Sequence, residues 1–261
     1  MGLITLTDRQ ELANYFRQDI HQDFYSLGDL DDFYWPNTTY LGRKTRSGIN
    51  NVVVIYQGDD LPVLLAFDRT REMDRSFFDT LIPLLPENFY AHLSTGLEDY
   101  FSDSHTTREF GDHFKMALQD PAKLAIPGLD KIDHLTANDL PELNELYNLS
   151  YPGNAFDSRM ILSEMYFGFR HGGQLVSAGG IHVYSRRFKV AALGNITTHP
   201  YFRNQGFGRQ VAARICQELL KSVDIIGLNV RVDNMAAIHL YQSLGFIISS
   251  KYGEFSFKKH L

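Results

Sequence analysis

The chain has 261 residues, 44% hydrophobic and 21% charged, proportions that exclude a wholly disordered protein, a collagen-like fibre and a coiled coil. No apolar run approaches the roughly 18–20 residues of a membrane helix, and no basic, apolar and small-residue sequence of a secretory signal opens the chain. A formal charge of −6 disfavours general nucleic-acid binding, while the single cysteine, Cys216, excludes an internal disulfide and fits a cytoplasmic protein.

Charge is unevenly spread. Residues 1–130 carry 21 acidic and 11 basic side chains, a net −10, and residues 131–261 carry 10 and 14, a net +4. This step predicts two units, the second better suited to an anionic ligand. The expected seam is residues 120–128, where Pro121, Pro127 and Gly128 interrupt regular structure. It divides the chain into domains 1–125 and 126–261.

In the first part, Asp29, Asp31 and Asp32 resemble the start of a calcium loop. Phe33 stands at the next ligand position, however, and no glycine and glutamate follow at the required spacing. A solvated acidic loop before Trp35-Pro36 is expected instead. Residues 52–56 and 63–67 predict buried strands joined as a hairpin through Gly58-Asp59-Asp60. Residues 74–85 predict an amphipathic helix stopped by Pro86, and residues 89–93 a further strand. His92, His105 and His113 lack any paired metal-ligand spacing. The first part reads as mixed α and β without a chemical motif.

The second part opens with Leu135-Thr136 as a short strand entering a helix, capped by Asn138 or Asp139 with Pro141 in the first turn. Residues 157–164 predict a second helix. Residues 165–171 and 174–184 predict strands joined by the Gly172-Gly173 turn, and residues 190–198 a third strand. His199-Pro200-Tyr201-Phe202 and then Arg203-Asn204-Gln205-Gly206-Phe207-Gly208-Arg209 follow it. Next comes a helical stripe of Val211, Ile215 and Leu219, with Ala212 and Cys216 beside it. A strand, a glycine-containing turn and a helix aim unpaired main-chain N–H groups and the positive end of the helix dipole at an anion. Gly206 and Gly208 remove side chains from that approach, and Arg203 and Arg209 add charge. A dinucleotide fingerprint would need a third glycine where Val211 stands, and the Gly-Lys-Ser/Thr of a Walker loop is absent. Residues 225–232 predict another strand, and Asp233-Asn234 cap a helix running to Leu244 and closed by Gly245. Asn234 and Tyr241 fall two turns apart on one face, roughly 10 Å along the axis.

Together these segments resemble the GNAT superfamily of acyl-coenzyme A-dependent N-acyltransferases over residues 131–261. Arg203-Asn204-Gln205-Gly206-Phe207-Gly208 is similar to the family's Q/R-x-x-G-x-G/A pyrophosphate loop. Residues 234–246 are similar to its Asn…Leu-Tyr-x-x-Leu-Gly-Phe segment. Thr197-Thr198-His199-Pro200 and the additional N-terminal half resemble the branch related to glycine N-acyltransferases. The resemblance implies an α/β fold with a mixed sheet (α+β), whose C-terminal GNAT domain has splayed central strands. The N-terminal α/β domain, with its hairpin, helix and strand order, reads as a degenerate GNAT-like half. It has no Arg-x-x-Gly-x-Gly equivalent and hence no second coenzyme site.

The resemblance also implies acetyl-CoA, or another short acyl-CoA, as co-substrate and no metal. The coenzyme would lie between the strand ending at Thr198 and the strand starting near Ile225. Ile196, Thr197 and Thr198 would offer a strand edge to the pantetheine. Main-chain N–H groups from Asn204 through Gln205, Gly206, Phe207 and Gly208 to Arg209 would hold the pyrophosphate, with the charge of Arg203 nearby and Asn234 and Tyr241 completing the site. Amide formation needs a neutral amine, a donor for the oxyanion and a proton for the departing thiolate. Tyr241 corresponds to the family's general acid, and a main-chain N–H near Ile196 or Thr197 to the oxyanion donor. The glutamate of the histone-modifying members falls on Ala192, which leaves Glu164, His182 and His199 as candidate bases. Cys216 lies in the apolar stripe and reads as core. The acceptor would be a small-molecule or peptide primary amine, its pocket lined by the N-terminal half. A non-catalytic acyl-CoA sensor or scaffold is the rival reading. Ala192 favours the sensor, and retention of Tyr241 the enzyme.

Overall fold

The computed structural model describes residues 2–46, 48–58, 61–69, 73–154 and 156–260. Asp59 and Asp60, expected in the hairpin turn, lie outside the described residues. The chain forms two compact units. The first comprises Met1–Lys115, Arg231–Asp233 and Ser249–Leu261, the second Met116–Val230 and Asn234–Ile248. Residues 120–128 therefore lie inside the second unit, not at a seam. Leu124 is buried there, its carbonyl accepts from Gln217 Nε2 at 3.0 Å, and Gly245 O accepts from the N–H groups of Gln119 and Asp120 at 2.9 and 3.1 Å.

The first unit runs β1 (Ile4–Thr5), α1 (Arg9–Phe16), α2 (Ile20–Gly28), β2 (Thr38–Thr45), β3 (Gly48–Tyr56), β4 (Val63–Ala66), α3 (Arg75–Leu81), β5 (Asn88–Leu93) and most of β6 (His105–Leu118). The second runs β7 (Ile132–His134), α4 (Leu140–Ser150), β8 (Phe167–His171), β9 (Gln174–Ser185), β10 (Val190–Thr198), α5 (Phe207–Leu219), β11 (Ile225–Arg231) and α6 (Met235–Ser243). The last strand, β12 (Phe246–Lys259), starts in the second unit and returns to the first.

In the first unit the strand order is β1-β2-β3-β4-β5-β12-β6. The expected hairpin is present, with β3 antiparallel to β4. Alternate residues Val53 and Ile55, Leu64 and Ala66, and Phe89, Ala91 and Leu93 share one buried cluster with Phe77, Phe78 and Leu81 of α3. A period of two on the strands thus meets a helical stripe, which is what fixes that layer. Asp74 caps α3 by accepting from Phe77 N at 3.0 Å. The helix stops at Leu81, before the expected Leu85, and tightens into a 3₁₀ turn over Ile82–Leu84. Pro83 is the cause, since it cannot donate to the carbonyl one turn back. His92 and His113 each place Nε2 3.5 Å from Glu254, which also accepts from Tyr252 at 2.7 Å. Among the described residues no group of three His, Cys, Asp or Glu side chains is placed to hold a metal ion, and no helix is long and apolar enough to cross a membrane.

In the second unit the order is β11-β10-β9-β8-β7. β7 ends at His134, so Leu135-Thr136 lies beyond it. Asp139 stands at the N-cap position of α4 without a side-chain cap bond there, and Thr136 caps the 3₁₀ turn Ala137–Asp139 that precedes it. The Thr136 hydroxyl accepts from Asn138 N at 3.3 Å, while the Asp139 carboxylate accepts from Thr136 N at 2.8 Å. Residues 157–164 form a 3₁₀ segment, Ser158–Ser163, in place of an α-helix. Asp157 caps it, and Glu164 ends it in a left-handed conformation, φ +60°. Gly245, at φ +93°, has no room for a side chain, because a Cβ would lie 2.2 Å from the Asp120 carbonyl oxygen. Gly245→Ala is expected to cost about 3 kcal/mol or more through backbone strain plus this clash, read as a lower urea midpoint with an unchanged slope.

The two units share an element order of helices, strands, helix and strand, yet differ at one pairing. In the first, the parallel neighbours β4 and β5 pair along all of β4, from Val63↔Tyr90 to Ala66↔Leu93. In the second, β10 and β11 pair only at Val190↔Ile225, Ala191↔Ile226 and Ala192↔Gly227. Beyond Ala192 both strands continue without pairing to each other. The splay expected of the central strands belongs to the second unit alone.

Candidate active site

The splay begins where β10 becomes irregular. Its register against β9 shifts between Ala192 and Leu193 and again between Gly194 and Thr197, with Asn195 left-handed at φ +55°. This bulge lifts Asn195 and Ile196 out of the regular ladder. Ile196 lies over Gly179, where a Cβ would stand 3.1 Å from the Ile196 Cα. Past the bulge, Ser177 Oγ donates to Thr197 O at 2.9 Å and shares a hydrogen bond with Thr198 Oγ1 at 2.9 Å, while Thr197 Oγ1 donates to Ser150 Oγ at 3.0 Å. Ile196, Thr197 and Thr198 are thus held at the open edge of β10.

The loop after β10 is built from two left-handed residues, Asn204 at φ +62° and Gly206 at φ +85°. Together they turn the chain into α5. The two loop glycines have different causes. A Cβ on Gly206 would meet nothing within 4 Å, so its requirement is conformational. A Cβ on Gly208 would lie 3.1 Å from Thr198 Oγ1 and 3.7 Å from Leu240, so its requirement is close approach. Phe207 stacks on Phe169 at 4.2 Å and pins the start of the helix to β8. Gln210 N–H donates to Gly206 O at 3.0 Å, which leaves the N–H groups of Phe207, Gly208 and Arg209 ahead of the helical ladder. Arg203 turns back toward the protein, donating to Thr198 O at 3.1 Å and Ser150 O at 3.2 Å. It braces the loop, where the sequence suggested a charge aimed at the anion. Arg209 donates to Ser243 Oγ at 2.9 Å and ties α5 to α6.

Asn234 caps α6, accepting from Ala237 N at 3.1 Å. Tyr241 is half-buried, its ring edge-on to Phe246 at 5.7 Å, with no protein partner for its hydroxyl among the described residues. Burial, then Cys216 and Tyr151, push its phenol above the ordinary value, so it stays protonated at neutral pH.

The candidate bases separate. The imidazole of His182 lies across Gly194 at the bulge, where a Cβ would come within 2.0 Å of it. Glu164 is an exposed turn end whose carbonyl faces His134 Nε2 at 3.0 Å. His199 caps its own turn, Nδ1 accepting from Tyr201 N at 3.2 Å between the rings of Tyr201 and Phe202. Ala192 is fully buried at the last rung shared with β11. Cys216 is fully buried in α5, and burial pushes its thiol far up. It should therefore resist Ellman's reagent in the native protein and react once the chain is unfolded.

Sequence reasoning passed over Asn195, Tyr166, Ser150 and Ser177, which surround the bulge. One signal was available, since Gly194-Asn195 inside an apolar strand marks a bulge.

A family model for the acetyltransferase (GNAT) family matches residues 132–246. The ribosomal protein bS18-alanine N-acetyltransferase of Escherichia coli K12 is 46% identical over 57 residues, which are 22% of this chain and 38% of that protein. The chain thus spans under half the length of this relative. Among solved structures, a Drosophila protein aligns with a TM-score of 0.70 over 99% of this chain and 98% of its own, at 15% identity. A tandem GNAT protein from the clavulanic acid biosynthesis pathway aligns with a TM-score of 0.55 over 99% and 98%, at 12% identity. At such identities these two show a common fold, one that includes two GNAT-like halves. The comparisons do not single out the glycine N-acyltransferase-like branch. Residues 132–246 of this chain form a domain of the acetyltransferase (GNAT) family.

Proposed function

We propose that the protein moves an acetyl or other short acyl group from acyl-coenzyme A to a primary amine. The observation that carries this reading is the parting of β10 from β11 after Ala192. The gap ends on a helix whose first N–H groups are unladdered and whose approach is cleared at Gly206. A diphosphate fits that corner, because the helix dipole and the aligned donors favour an anion there. Ile196 and Thr198 would bond the pantetheine as an added strand.

The bound thioester supplies an electrophilic carbonyl and a thiolate leaving group. A main-chain N–H at Ile196 or Thr197 stabilises the developing oxyanion. The new N–C bond forms as C–S breaks, Tyr241 gives its proton to the sulfur, and the surplus proton on nitrogen leaves to water. His182 is the candidate base beside the bulge. Glu164 and His199 are weaker candidates, since one is an exposed turn end and the other caps its own turn.

The E. coli relative is named for an alanine amine, so peptides with a free N-terminal alanine head the acceptor panel. The buried single thiol suits a cytoplasmic setting. The test is release of free coenzyme A thiol across a panel of amines and peptides, with amine-free hydrolysis as control. Amine-dependent release is expected. Tight coenzyme binding with no release would favour the sensor reading, which the buried Ala192 supports.

A further inference from the structure

We infer that Asn195 Oδ1 accepts an N–H of the acceptor amine and that Tyr166 positions it; this rests on the transferase reading. Asn195 is 3% exposed. Its Nδ2 donates to Tyr166 OH at 3.2 Å, and Tyr166 OH donates to Ile181 O at 3.1 Å. That relay fixes the amide's orientation, because a flipped amide would set its oxygen against a hydroxyl whose proton is already committed. Oδ1 is thereby turned away, buried and without a protein partner among the described residues. A buried amide oxygen without a hydrogen-bond partner is unfavourable and uncommon in native structures.

The surroundings suggest what completes it. Phe156 stands 5.0 Å from the ring of Tyr147 and 5.3 Å from that of Tyr166. Met160 Sδ lies 3.8 Å from Asn195 Nδ2. Tyr147 OH is a second buried polar atom of this cluster without a partner among the described residues. The open valence at Oδ1 is an acceptor, so it selects a donor and rejects a carboxylate or phosphate. Apolar walls favour an amine in its neutral form, which is the form that attacks.

Position matters as much as chemistry. Asn195 sits three residues past Ala192 and directly precedes Ile196 and Thr197, the residues assigned to the oxyanion. An amine that gives one N–H to Oδ1 keeps its lone pair free for the neighbouring carbonyl carbon. The amide takes no proton; it orients the nucleophile where the strand lacks a carboxylate.

Asn195→Gly tests this, since glycine keeps the left-handed backbone and removes only the side chain. Tyr166→Phe keeps the ring and removes the hydroxyl that accepts from Nδ2. With a peptide bearing a free N-terminal alanine as probe, kcat/KM for the peptide should fall at least about tenfold in Asn195→Gly and a few-fold in Tyr166→Phe. Coenzyme A affinity by calorimetry and the rate of acetyl-CoA hydrolysis without amine should stay at wild-type values in both. Wild-type kcat/KM in folded Asn195→Gly would overturn the inference. So would an equal fall in hydrolysis, which would make Asn195 a support of the bulge only. A wild-type protein that binds coenzyme A but acylates no amine would remove the transferase reading itself, a separate outcome.

Discussion

Replacing Gly206 by glutamate is expected to abolish coenzyme A binding while leaving the protein folded. Two effects combine, and their sizes can be separated. Any L-residue at φ +85° meets left-handed strain of about 1–2 kcal/mol. Alanine at this position carries that strain alone and should weaken binding by about thirtyfold at most. Glutamate adds a negative charge on a helix start proposed to hold a diphosphate. At about 6 Å and an effective dielectric near 20, each like-charge pair costs nearly 3 kcal/mol, about a hundredfold in affinity. The space around Gly206 is open, so sterics do not force the loop apart and electrostatics decide the outcome. Calorimetric titration of Gly206→Ala and Gly206→Glu with coenzyme A should show the steep second step. Equal affinities in the two variants would place the diphosphate elsewhere.

Tyr241→Phe should lower kcat by roughly 10²–10⁴ and leave coenzyme affinity unchanged. Phenylalanine keeps the edge-on packing against Phe246 and removes only the hydroxyl, which has no protein partner to lose among the described residues. The variant should therefore melt near the wild-type temperature. Because the phenol is raised above its ordinary value, the wild-type rate should not fall through its deprotonation at any pH up to about 10. Steady-state kinetics with saturating amine, beside calorimetry, distinguish this from a binding defect. Wild-type kcat in the variant would exclude Tyr241 as the proton donor.

Much of the second unit was legible because its signals are local. Gly172 and Gly173 take φ values of +58° and +87° in the turn joining β8 to β9, and the apolar runs beside them are the strands. The glycine loop and the stripe of Val211, Ile215 and Leu219 announced α5. Where the reading slipped, two local signals competed or a distant partner decided. Thr136 outcompeted Asn138 as a cap because Asp139 answers it. Pro83, not Pro86, ended α3. Residues 157–164 have a good cap at Asp157, but the left-handed Glu164 ends the segment before an α-helix establishes itself. Arg203 reads as an anion ligand in the sequence, but the carbonyls of Ser150 and Thr198 claim its guanidinium. The bulge at Asn195 turns a strand residue toward Tyr166, and its side-chain partners lie on other strands and loops. Nothing near residue 249 tells that the chain there changes units.

That return has a consequence for how the protein is made. Strand β12 lies between β5 and β6 in the first unit. Residues of the N-terminal half leave the ribosome early, yet their sheet lacks an inner strand until residues 246–259 emerge. The half synthesised first is thus completed only after the second unit has emerged, and a nascent chain must keep the exposed edges of β5 and β6 from pairing with neighbours in the meantime. Removing residues 249–259 would harm a unit whose other strands were made long before them.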